Sequence, residues 1–130
     1  MFSIHSVDSD RELVFHSHTQ EHFKVELRSE KLFASVDVWH SPETNDLNTF
    51  FQELAVFPNP WQGVKAWNSL EGEFSISATC AVLGQVTFTI KLCHLTRSSE
   101  DWQVEAELVT ELGQIEKIAK GANVFFHTKS

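Results

Sequence analysis

At 130 residues, with 42% apolar and 12% aromatic residues, the chain can bury a core and is not disordered. Ten basic against eighteen acidic residues leave a net charge of −8, which argues against nucleic acid as a partner, because phosphate binding relies on Lys and Arg. No apolar run nears the roughly 20 residues of a membrane helix, and residues 1–5 lack the basic and apolar regions of an export signal, so a single cytoplasmic domain over 1–130 without a membrane partner is the expectation.

In chain order, residues 2–7 and 12–18 read as two short strands around the turn Asp8-Ser9-Asp10. Residues 23–28 alternate cleanly, with Phe23, Val25 and Leu27 predicted to face the core, and residues 32–39 form a fourth strand. Leu47, Phe50, Phe51 and Leu54 then recur at the i, i+3, i+4, i+7 spacing of an amphipathic helix. Thr44 or Asn45 can cap it, Asp46 suits the positive end of its dipole, and Pro58-Asn59-Pro60 stops it by Phe57.

Residues 61–66 read as a loop that returns the chain to the sheet at Trp67. Phe74, Ile76, Ala78 and Cys80 then alternate with Ser75, Ser77 and Thr79, the pattern of a strand with one dry and one wet face. A tight turn over 82–85 follows, with Gly84 supplying positive φ, and then a strand over 86–92. The last strand, 102–108, turns Trp102, Val104, Ala106 and Leu108 inward, so Trp102 and Phe88 are both expected in the core. A helix over 111–126 carries Ile115, Ile118, Ala119, Ala122 and Phe125 on one stripe.

The order is four strands, helix, three strands, helix. It predicts an α+β fold with an antiparallel sheet of six or seven strands and two helices on one face. The two halves share a strand-strand-helix rhythm, though their residue identity is too low to claim a duplication.

Four groups of residues invite a chemical reading. His16, His18 and His22 flank one turn, but zinc needs all its ligands to converge at about 2.0 to 2.1 Å, and solvated strand histidines are the simpler reading. Glu71 and Glu73 flank Gly72 and resemble paired carboxylates, although Gly72 is better explained by close backbone approach at the start of a strand. Cys80 and Cys93 lie on opposite strand faces by parity, which predicts free thiols. Trp61 and Trp67 read as lids on the core rather than exposed anchors. No nucleophile elbow, phosphate loop or zinc-protease motif occurs. The expectation is therefore no enzyme, no cofactor and no metal.

Trp67-x-Ser69-Leu70-Glu71-Gly72, Ala78-Thr79, Leu83-Gly84-x-Val86, Asp101-Trp102-x-Val104-x-Ala106-x-Leu108 and Glu111-x-Gly113-Gln114-Ile115-Glu116-x-Ile118-Ala119 together resemble a family of small bacterial proteins, a domain of unknown function. Over about 23–126 the chain is also similar to the immunity proteins that accompany wall-associated, contact-delivered polymorphic toxins. The resemblance implies a non-catalytic binding protein whose partner is a toxin domain, and it carries over no catalytic residue.

Between Ser98 and Glu116 lie Glu100, Asp101, Glu105, Glu107 and Glu111 with no Lys or Arg among them, which marks them as candidate contacts to a basic protein. The simpler reading is that these acids aid solubility and favour the helix dipole, with Glu116 pairing to Lys120. A small-molecule-binding module and a homo-oligomeric structural protein are the alternative functions.

Overall fold

The structure, a computed structural model, describes residues 1–40, 46–96 and 98–127. The chain runs β1 (Phe2–His5), β2 (Glu12–His16), β3 (His22–Arg28), β4 (Phe33–Trp39), α1 (Asp46–Leu54), β5 (Lys65–Asn68), β6 (Phe74–Cys80), β7 (Gln85–His94) and β8 (Trp102–Glu111). A short 3₁₀ turn, Leu112–Gln114, then leads into α2 (Ile115–His127). The strands form two four-stranded antiparallel sheets, ordered β1-β2-β3-β4 and β5-β6-β7-β8. This corrects the single sheet of six or seven strands. Hydrophobic alternation fixes which way a strand faces but not which strand lies beside it. The strand absent from the sequence reading is β5, a short edge strand whose Lys65, Ala66 and Asn68 are exposed and which therefore has no apolar alternation to detect.

In the first sheet, Phe23, Val25 and Leu27 pair with Val38, Val36 and Ala34, and all six are buried. In the second, Phe74, Ile76 and Ala78 pair with Leu92, Ile90 and Phe88, which continue to Val104, Ala106 and Leu108. Gly84 takes φ +95° in the β6–β7 turn, where its N–H donates to Ala81 O at 2.8 Å. Trp102 departs from expectation: it keeps the predicted parity, but β8 outruns the core, leaving the ring 36% exposed and stacked on His94 at 6.4 Å.

Helix α1 buries Leu47, Phe50, Phe51 and Leu54 as its spacing predicts, with Asp46 in the first turn. The candidate caps Thr44 and Asn45 lie outside the described residues. Helix α2 starts at Ile115 rather than Glu111, because β8 stays paired with β7 as far as Glu111 opposite Gln85. Phe51 of α1 meets Phe2, Phe15 and Phe88, and Phe125 of α2 meets Phe2 and Phe15. Both helices thus lie on the dry side of the sheets, joined by Gln52 Nε2 donating to Ala119 O at 2.7 Å.

The sheets also meet directly. Phe15 packs edge-on to Phe74 at 5.9 Å, and the β1–β2 connection closes the open edge of β8. There the Val7 N–H donates to Val109 O at 2.8 Å, the Val109 N–H donates to Ser6 Oγ at 3.1 Å, and Arg11 Nη1 donates to Glu107 O at 2.9 Å. Satisfying these groups internally removes a template for strand addition. Among the described residues, no helix is long and apolar enough to cross a membrane.

Candidate partner-binding face

With Ala106, Leu108 and Thr110 buried, alternation along β8 turns Glu105, Glu107 and Glu111 outward, and all three are exposed. At about 3.3 Å per residue, Glu105 and Glu107 stand roughly 7 Å apart and Glu111 about 20 Å from Glu105. The other two candidates fall elsewhere. Glu100 is exposed in the β7–β8 turn, where its N–H donates to Ser98 Oγ at 3.2 Å. Asp101 Oδ1 accepts from the N–H and hydroxyl of Thr96 at 2.6 and 2.8 Å, so its carboxylate closes that turn. These two lie about 30 Å along the strand from Glu111, so the five acids are not one site. What the structure assembles is a row of three.

Among the described residues, cations from other strands, connections and α2 border the row, Lys117 of α2 lining a cavity with Glu111. Lys91 is the cross-strand partner of Glu105, and Arg11 reaches the backbone of Glu107. Lys91 was readable from its parity with Thr87 and Thr89, but Arg11 was not, since 96 positions separate it from Glu107. The rest of this outer face is uncharged, with Ser77 and Thr89 in line with Glu107, and Ser75 in line with Lys91 and Glu105.

The three histidines diverge. Ser17 adopts φ +57°, which ends the strand alternation and sends His16 and His18 to different surroundings. His16 Nε2 lies 2.8 Å from Glu26 Oε1, and its Nδ1 lies 2.8 Å from Ser17 Oγ. His18 is buried in an aromatic nest with His40, Phe125 and Phe126, while His22 is exposed on β3. Among the described residues, no three His, Cys, Asp or Glu side chains group so as to hold a metal ion. Ser17, His16 and Glu26 have the connectivity of a nucleophile, base and orienting acid. Arg28, however, holds the other oxygen of Glu26 through two nitrogens, so Glu26 sits in an ion pair within β3 that the hydrogen bond to His16 ties to β2. Burial pushes the Glu26 carboxyl up, but bonds and charge from His16 and Arg28 outweigh it and hold the group below its ordinary range.

Glu71 is exposed and Glu73 half-buried within the β5–β6 turn, where Gly72 between them takes φ +78°. A Cβ on Gly72 would meet nothing within 4 Å, so the residue serves the turn's dihedral rather than a close approach. Burial pushes the Glu73 carboxyl above its ordinary range and Glu71 adds to this, against hydrogen bonding from Ser69 and the charge of His22. Its Oε1 is buried without a hydrogen-bond partner.

Cys80 and Cys93 are both free thiols, paired across the sheet with Val86 and Gln103 respectively and thus on opposite faces. Trp61 is buried, and its indole N–H donates to Ala78 O at 3.3 Å. Trp67 is half-buried and, with Trp39, His40 and Leu70, lines a cavity of about 50 Å³. That volume suits a water or two, far below the roughly 300 to 1,000 Å³ of a ligand pocket.

A model of a family of unknown function (DUF6228) matches residues 6–129, and the chain belongs to that family. The match reaches well upstream of residue 23, where the sequence resemblance begins. No curated protein matches the chain. No solved structure matches it.

Proposed function

We propose that this DUF6228 member is a non-catalytic binding protein of the immunity type, which neutralises a basic toxin domain by covering it. The observation that carries the reading is the outward row Glu105, Glu107 and Glu111 on β8, in a chain of net charge −8. An acidic strip of this kind attracts a cationic surface over a Debye length and speeds its association, more so at low salt. The flanking Lys91 and Arg11 narrow the strip, so the interface centres on the β8 row and leaves out Glu100 and Asp101.

The test is to retrieve the bound protein from the native host and compare its association with the parent chain and with Glu105→Lys/Glu107→Lys. Both positions are exposed, so the fold should survive. The on-rate should fall by roughly tenfold or more and lose much of its salt dependence. An unchanged on-rate with an unchanged salt slope would dismiss this face as the interface.

A further inference from the structure

We infer that the tip of the β6–β7 hairpin and the groove beside it hold the apolar anchor of the same interface, and that they receive a basic protein segment bearing an aliphatic side chain. This rests on the binding reading above and adds the partner's local chemistry to it. Val82 and Leu83 are 90% and 99% exposed, the two most exposed large apolar side chains among the described residues. They project from a held turn: the Gly84 N–H donates to Ala81 O, and Gly84 O accepts from the Leu112 N–H, each at 2.8 Å. A turn whose backbone is held in this way presents two adjacent aliphatic side chains with little backbone ordering left to lose on binding.

Beside the tip runs a groove of about 550 Å³ lined by Val7, Asp8, Pro58, Pro60, Leu83 and Glu111 among others. Val7 is itself 60% exposed, so Val7 and Leu83 give an otherwise largely polar groove aliphatic surface. Among the described residues its charged lining is Asp8 and Glu111, both acids, and Glu111 ends the β8 row. Charge complementarity therefore selects a Lys or Arg next to the anchor. Strand addition is blocked here, because Val109 already uses its N–H and carbonyl on Ser6 and Val7. Recognition must then run through side chains, an apolar centre with a polar rim.

The experiment uses the full chain and three fluorescent nonapeptides, alternating Lys with Leu, Lys with Ser, and Glu with Leu, read by anisotropy. The Lys/Leu peptide should bind the parent most tightly. Val82→Ser/Leu83→Ser, which removes both aliphatic side chains, should weaken it about tenfold or more, and leave the Lys/Ser peptide unaffected. Asp8→Asn/Glu111→Gln should weaken both basic peptides. Equal binding of the Lys/Leu peptide by parent and Val82→Ser/Leu83→Ser, or equal binding of the Glu/Leu peptide, overturns the anchor. If only Glu105→Lys/Glu107→Lys abolishes binding, the anchor falls while the acidic face stands. If neither variant changes binding, or no basic peptide binds, both proposals fall.

Discussion

Phe88 and Trp102 share a parity on neighbouring strands, yet only Phe88 is core, fully buried and 6.5 Å from Phe51. Phe88→Ala should cost about 3 to 5 kcal/mol, whereas Trp102→Ala should cost only about 1 kcal/mol, in keeping with a ring near the surface. Denaturant midpoints separate the two, and comparable losses would place the end of β8 inside the core. Glu73 gives a prediction in pH. Its carboxyl is raised in the fold, so its contribution to stability is full below the ordinary carboxylate value and is lost as pH rises through the raised one. At neutral pH the fold thus carries a poorly solvated charge beside an unpartnered oxygen. Glu73→Gln should raise the urea midpoint at neutral pH and change it little below about pH 4. A gap that is constant with pH would rule out ionisation as the cause. Glu26 has the opposite sign: its lowered value gives stability present above the ordinary range and lost as pH falls through the folded one.

Among the elements, α2 sets helix propensity against packing at a single glycine. A Cβ at Gly121 would stand 3.0 and 3.1 Å from two ring carbons of Phe2. That ring is stacked on Phe15 and met edge-on by Phe51, so it has nowhere to retreat. Ala should gain about 1 kcal/mol in helix propensity but lose about 1 to 3 kcal/mol to overpacking, and Gly121→Ala should melt below the parent. Gly113→Ala, with nothing within 4 Å, is the tolerant control. A higher midpoint for Gly121→Ala would mean that β1 gives way to α2. The same elements mark what the sequence can carry. Alternation in β3, β6 and β7 and the apolar stripes of both helices were readable, because burial on one face imposes a period. The pairing of strands into two sheets was not, and β5 has no apolar period at all. The turn at Ser17 hid behind a residue type that seldom takes positive φ, so His16 and His18 looked like neighbours on one face. The acidic row was visible as a run of glutamates and Lys91 by its strand parity, but Arg11 reaches the row only through tertiary structure.

For the whole molecule, a four-stranded meander followed by a helix occurs twice, which gives physical form to the rhythm of the two halves. The halves nevertheless do not own their cores. Phe51, from the first half, lies against Phe88 of the second, while Phe125, from the second, lies against Phe2 and Phe15 of the first. Both sheets and both helices contribute to one hydrophobic cluster, and Phe15 touches Phe74 across it. Separating the halves would expose each inner face, and a single four-stranded sheet with one short helix buries too little to offset its chain entropy. We therefore predict that fragments 1–57 and 58–130 each lack a cooperative thermal transition, and that mixing them restores one. The four tryptophans report this by fluorescence: Trp39 belongs to the first fragment, and Trp61, buried under the Ala78 carbonyl, to the second. A blue shift on mixing marks Trp61 entering the shared core. Cooperative melting of fragment 1–57 alone would mean that the repeat is two independent units, with the ring contacts between them adding stability without being required for folding.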